Sequence, residues 1–383
     1  LLKAGVMTES VGLSIGATNL AAVTVGRAAV TRPAVLAREP GPVLTDFVDR
    51  VGDPVGLVGA DGITHRPEAL LTEALRALHR TVAPGGHTGI SHPAHWHPRQ
   101  VAAMRTALAA DHELRTAPLL SDAVTALAAL SDSPGLPARG VVALCDFGGT
   151  GTSITVADAA NGYQPIAPTV RYAELSGALI DQTLLTHVLA GVPGAADAAG
   201  TSAIGSLTRL RSECRTAKER LSGAAAAAVP VDLPGHRTEV RVTRDELDAM
   251  LRGPLGDFLA ALRDTLQRTG IRAADLVAVA SVGGGARIPA VTAALSEQFR
   301  VPVVTLPQPE LAAAIGAGIR AARPAVEEGA TTVAPVAPVV PVPDPALSST
   351  FRALAWSQDT DEVPGAEPFV VDHPIDSDPS HSF

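Results

Sequence analysis

Two clusters of glycine and small hydroxyl residues, about 130 residues apart, carry the plainest chemistry in this sequence. The first spans residues 12–23 and reads GLSIGATNLAAV; the second spans residues 145–158 and reads CDFGGTGTSITVAD. Each opens with an apolar run, turns at a small polar cluster, and resumes an alternating run that reads as β. A turn without side chains lets backbone N–H groups approach an anion closely. One such turn is ordinarily a hairpin. A pair of them suggests two jaws closing on one phosphate chain.

The elements that must position these turns follow from periodicity. Residues 12–31 alternate like a β-meander. Residues 32–53 are Pro-rich and irregular, with short strands at 55–58 and 62–65. Leu70, Leu71, Leu75 and Leu78 recur at a helical period behind Pro67, which predicts a helix over 67–81. A strand is predicted at 87–91 and helices at 98–110 and 121–130. A buried strand over 140–146 leads into the second turn. A strand at 164–170, a helix over 174–189, a small loop-like stretch at 195–200 and a charged helix over 206–221 come next. A β pair at 229–233 and 239–242 follows, then a helix over 245–268 with a break tolerated near Gly253 and Pro254. A buried strand over 276–282 runs into Gly283, Gly284 and Gly285, followed by helices at 288–299 and 310–322.

Composition limits the possible functions. The chain has 383 residues, enough for two or more domains with full cores. Net charge is −9, which argues against general nucleic-acid binding. No apolar run reaches the roughly 18 to 20 residues of a membrane helix. The start, LLKAGVMTES, does not read as a signal peptide, and two cysteines without a CxxC partner favour a reduced, cytoplasmic protein. From about residue 324 the chain turns Pro/Val-rich and then acidic, which reads as a disordered tail.

Eight segments stand in a fixed order: GLSIGATN; ISHPAHWHPRQ at 90–100; SDAVTALAAL at 121–130; DFGGTGTS; LSGALIDQTLL at 175–185; TRLRSECRTAKERLSG at 208–223; VGGGARIP at 282–289; and QPELAAAIGAG at 308–318. Together they resemble the nucleotide-binding domain of the DnaK-type heat-shock chaperones, in a shortened form. The resemblance runs from Val11 to about Ala322. It implies an α/β, actin-like ATPase (ribonuclease H-like) fold with two lobes around a nucleotide cleft and one outer subdomain reduced. The implied parts are an N-terminal extension at 1–10, a first lobe at 11–138, a second lobe with its closing helix at 139–323 and the tail at 324–383.

The resemblance also implies roles. Gly16, Gly148 and Gly149 would cradle phosphates of ATP or ADP through backbone N–H groups, with Thr18, Asn19 and Thr150 adding side chains and Gly177 close by. Asp146 would hold Mg²⁺ through water, and Asp122 matches a catalytic glutamate. Pro93 matches a proline that relays nucleotide state. Lys218 and Ser222, four apart on one helical face, would reach the ribose and adenine. Arg287 would stack on the adenine, and Gly283, Gly284 and Gly316 would permit close backbone approach.

The departures bear on activity. Ser14 and Ser153 stand where the family has aspartates, and Ala17 and Gly151 where it has threonines. Arg215 and Glu219 reverse the charges of the family's adenosine helix. No lysine lies between residues 31 and 55, where the catalytic lysine belongs. Losing one charge-stabilising group typically costs ~10²–10³ in rate. Nucleotide binding is therefore the firmer expectation, with ATPase turnover weak or slow, in a chaperone-related protein without a recognisable peptide-binding domain. The rival is a pseudo-ATPase scaffold that binds a protein partner through its tail or a lobe surface. A sugar kinase or filament protein of the same fold is a more distant reading. Each feature has a plainer reading too. A charged helix is ordinarily a solvated face, and the histidines His87, His92, His95 and His97 fit no zinc spacing.

Overall fold

The computed structural model describes residues 10–37, 43–59, 62–82, 86–193 and 203–322. The described residues all belong to one compact unit. The extension at 1–9, the stretch at 195–200 and the tail expectation lie outside the described residues.

Two sheets of the same design organise the mixed α/β fold. The first contains β1 (Val11–Ile15), β2 (Asn19–Thr24), β3 (Ala28–Pro33), β8 (Thr88–His92) and β9 (Leu119–Ser121) in the order β3-β2-β1-β8-β9. β1 pairs antiparallel with β2 and parallel with β8. The second contains β10 (Val141–Phe147), β11 (Thr152–Asp158), β12 (Gln164–Pro165), β13 (Val170–Tyr172), β16 (Leu276–Val282) and β17 (Val303–Val304). Its order is β12-β11-β10-β16-β17, with β13 also paired to β11. Here again the central strand is antiparallel to its hairpin partner and parallel to its other neighbour. Three two-stranded ribbons complete the β structure among the described residues: β4 (Leu36–Ala37) with β5 (Val43–Leu44), β6 (Leu57–Val58) with β7 (Thr64–His65), and β14 (Ala226–Leu233) with β15 (His236–Thr243).

The central strands are apolar on both faces because helices or loops cover both. VGLSI of β1 is buried throughout, and Val142, Ala143, Leu144 and Cys145 of β10 are almost solvent-free. Helix α1 (Pro67–Thr81) puts Leu70, Leu71, Leu75 and Leu78 into the first core with Val11, Leu13, Ile90 and Phe47. α2 (Pro98–Ala109) adds Met104 and Leu108. The second, larger core joins Phe147, Ile154 and Val156 to α4 (Gly177–Ala190), α5 (Ala203–Leu221), α6 (Arg244–Arg268) and α7 (Pro289–Phe299). α6 runs unbroken through Pro254. Its stripe Leu247, Leu251, Leu255, Phe258, Leu262 and Leu266 is buried, which outweighs the hydrogen bond that proline removes.

α3 (Asp122–Asp132) packs on the second sheet through Ala123, Ala126, Leu127 and Leu130. α8 (Ala312–Ala322) crosses α3 and lies on β1 and β8. That crossing requires small residues. A Cβ at Gly316 would overlap the carbonyl oxygen of Thr125, and one at Gly12 would overlap that of Ala314. The close backbone approach expected at Gly316 is made here by α3.

Several boundaries differ from the sequence reading. The strand expected at 164–170 is two short pieces, β12 and β13. α4 begins at Gly177 rather than 174, because the Ser176 hydroxyl caps it by accepting from the Leu179 N–H at 3.2 Å. α5 ends at Leu221, so Ser222 lies one residue beyond the helix that was to carry it.

Candidate functional site

The two glycine turns have the same hydrogen-bonded build. In the first, the Gly16 N–H donates to the Asn19 carbonyl at 3.1 Å, and Ile15 pairs with Leu20. In the second, the Gly148 N–H donates to the Gly151 carbonyl at 3.0 Å, and Phe147 pairs with Thr152. Their tips meet. A Cβ at Gly149 would overlap the Thr18 side chain, so only glycine allows this approach. Asn19 Nδ2 donates to Thr18 Oγ1 at 3.3 Å and holds that side chain at the contact.

α4 is docked under the second turn. Gly177 and Ala178 donate their N–H groups to the carbonyls of Gly148 and Gly149 at 3.0 and 2.9 Å. Lys218 of α5 reaches the same place, but its partners are protein groups. Its Nζ donates to the Gly177 carbonyl at 3.0 Å and pairs with Asp181 at 2.6 Å. Both side chains are about nine-tenths buried, with 12% and 10% exposed. This ion pair ties α5 to α4. Asp181 escaped the sequence reading. Its signal was a lone carboxylate among Ile180, Leu184 and Leu185, a position that demands a cation.

Asp146 is the penultimate residue of β10, and Gly283 lies against it: a Cβ at Gly283 would overlap Asp146 Oδ1. Asp122 opens α3 and accepts the Ala94 N–H at 2.9 Å, which links it to the segment carrying Pro93. Burial and the Asp146 charge raise Asp122, to about 8. Burial raises Asp146 as well, against a lowering field from Arg171. The two expected acids are therefore brought into one electrostatic unit.

Arg171 is the residue the sequence reading missed. It sits on β13 opposite Ser153. Its Nη1 donates to Ser153 Oγ at 3.1 Å and its Nη2 to Thr150 Oγ1 at 2.8 Å. Its field reaches Asp146, Asp49 and Asp122. Burial lowers its pKa from the usual value, yet it stays a cation at neutral pH. Across from it, His95 Nδ1 lies 3.5 Å from Ser153 Oγ. Burial, then the Arg171 charge, hold His95 down to about 4, so it is neutral near pH 7. Nothing in PTVRYAEL signals a site, because the strand is three residues long and the arginine acts only through its neighbours.

The remaining expected residues are more peripheral. Arg287 closes a short 3₁₀ turn over Gly284–Arg287 and pairs with Glu310 at 3.0 Å, with about half its side chain exposed. Gly284 faces open space. A small apolar crevice lies beside the second turn, among Phe147, Gly177, Ile180, Leu251, Leu255 and Ile288.

Asp146 and Asp122 are the carboxylates this place offers a Mg²⁺ ion, fewer than the resemblance implies. That ion favours carboxylates, phosphates and water in octahedral array. Ser14 and Ser153 supply only hydroxyls, and the Arg171 guanidinium already acts on Asp146. Among the described residues no group of three or more His, Cys, Asp or Glu is arranged to hold a metal ion. Among them, too, no helix is long and apolar enough to cross a membrane.

Comparison with known proteins shows the family of the chain. A model of the family described as Hsp70 protein matches residues 123–340, a range that includes the second glycine turn, Arg171 and Lys218. The chaperone protein HscA homolog of Laribacter hongkongensis is 28% identical over 296 residues, 73% of this chain and 46% of that protein. The chaperone protein HscA homolog of Burkholderia pseudomallei is 30% identical over 187 residues, 48% of this chain and 29% of that protein. The chain spans less than half the length of these relatives. With the family model matching more than half of its residues, the chain belongs to the Hsp70 protein family.

Proposed function

We propose that this chain binds ATP or ADP in a cleft between two lobes, one built on each sheet, with the two glycine turns gripping the phosphates. Turnover of the nucleotide is slow or absent. The reading is carried by one observation: two turns of like build, from two sheets of like topology, meet at Thr18 and Gly149. Backbone N–H groups at such turns can form an anion cradle. Asp122 and Asp146 are the acids that would orient an attacking water. Phosphoryl transfer depends on positioning and charge neutralisation, and here two family carboxylates are replaced by Ser14 and Ser153. The HscA homologs among its relatives support a chaperone-related role. The buried, unpaired Cys145 and Cys214 suit a reducing compartment.

The test is thermal denaturation with millimolar ATP or ADP. A ligand at 100-fold its Kd stabilises by ~2.7 kcal/mol, which a melting curve resolves. No shift with either nucleotide refutes the proposal. A second reading, a catalytically inactive scaffold for a protein partner, is favoured by Ser14 and Ser153 themselves. Its check is phosphate release from the Ser14→Asp, Ser153→Asp double variant: no gain over the parent supports the scaffold, and a clear gain opposes it.

A further inference from the structure

We propose that Arg171 is the cation that holds the polyphosphate, so that this chain takes a nucleoside di- or triphosphate without a divalent metal. The inference rests on the nucleotide-binding reading above and gives it a charge balance.

Three positions of the second turn are fitted to one guanidinium. Thr150 and Ser153 each accept a hydrogen bond from it, at 2.8 and 3.1 Å. Between them, Gly151 leaves the space that the group occupies: a Cβ there would stand 2.7 Å from Arg171 Nε. Gly151 and Ser153 are two of the places where this chain departs from its family's second phosphate turn. A threonine at 151 would collide with the guanidinium. With serine at 153 the guanidinium meets a neutral acceptor. The two departures and Arg171 thus form one coordinated arrangement rather than separate losses.

The charges support the same assignment. Asp146, Asp122 and Asp49 lie within the field of Arg171. A divalent ion placed here would keep Asp146 and Asp122 but would face a fixed positive charge on the turn and would lack the carboxylates that the resemblance implies at positions 14 and 153. A phosphate group meets the opposite situation. The two hydrogen bonds use two of the five guanidinium N–H groups, and the planar fork suits phosphate oxygens. Arginine–phosphate bonds are charge-assisted and commonly bidentate. Neutral His95 beside Ser153 adds no competing charge.

Calorimetric titration of ATP and of ADP, each in EDTA and in Mg²⁺, tests this on the full chain. Wild-type protein is expected to bind in EDTA within about threefold of its affinity in Mg²⁺. Arg171→Ala is expected to lose tenfold or more in EDTA, and Arg171→Lys, which keeps the charge but not the fork, to lose less. Melting curves of both variants monitor folding, and the wild-type comparison decides the metal question without any variant. Tightening of tenfold or more on adding Mg²⁺ overturns the proposal, as does a folded Arg171→Ala chain that binds in EDTA like wild type. Either result leaves nucleotide binding itself intact. Absence of binding to both nucleotides in both buffers overturns the nucleotide reading, and this inference with it.

Discussion

Replacing Asp122 by asparagine should stabilise the ligand-free protein at neutral pH while leaving it unchanged in acid. Asp122 stands well above its ordinary value of 3.8 in the folded state, at about 8, chiefly through burial and then through the charge of Asp146. The folded chain therefore keeps a proton that the unfolded chain has lost, across a window from about pH 4 toward pH 8. Where the folded state binds more protons, stability falls as pH rises. Asparagine cannot ionise, and its carbonyl oxygen can still accept the Ala94 N–H. The variant's advantage should be near zero at pH 4 and grow steadily through pH 7.5. Each pKa unit is worth ~1.36 kcal/mol, so the full displacement sets a ceiling of ~6 kcal/mol. Asp146 shares the proton and Arg171 offsets part of the charge, which leaves about 2 kcal/mol at pH 7.5 as the working figure. That corresponds to a rise in Tm of ~4 °C for a chain of this size. His79, His92 and His95 are lowered by burial and contribute the opposite slope below pH 6.5. They are common to both proteins and cancel in the difference. The assay is a pair of urea or thermal melts at half-unit steps from pH 4 to pH 8. A difference that is flat with pH, or negative at pH 7.5, refutes the electrostatic unit.

Other consequences follow from single contacts. Lys218→Met should destabilise the fold by ~3 kcal/mol, because it leaves the Asp181 carboxylate buried and unpaired, and the Lys218→Met, Asp181→Leu double variant should recover much of that loss in urea titrations. Gly316→Ala should cost ~2 kcal/mol or more, since its methyl group forces α8 away from α3; Gly284→Ala, which meets open space, should be close to neutral in the same melts. Neither thiol should react with Ellman's reagent in the native protein: Cys145 is fully buried, and burial pushes Cys214 up to about 11, so two equivalents should appear only on unfolding.

Much of the fold was legible because its signals are local. Apolar runs bounded by glycine gave β10 and β16, and four leucines at helical spacing behind a proline gave α1. The order of the glycine turns and the motifs between them carried the family, which the comparisons establish. α5 was legible as a helix, and Lys218 was read on it as a ribose or adenine contact. What Lys218 binds was not legible, since its partner sits 37 positions earlier in the chain on another helix. β9 and β13 were missed or blurred because three-residue strands have no period of their own and form only by pairing with a neighbour.

By itself the sequence determined the two glycine turns and the strands that hold them, because turn chemistry and apolar periodicity act over a few residues. The tertiary structure alone decided that Thr18 meets Gly149, that Gly316 serves a helix crossing, and that Arg171 lies against Gly151 with Ser153 and Thr150 as its acceptors. Those facts are distances between segments remote in the chain, set by how sheets and helices pack, and no local pattern encodes them.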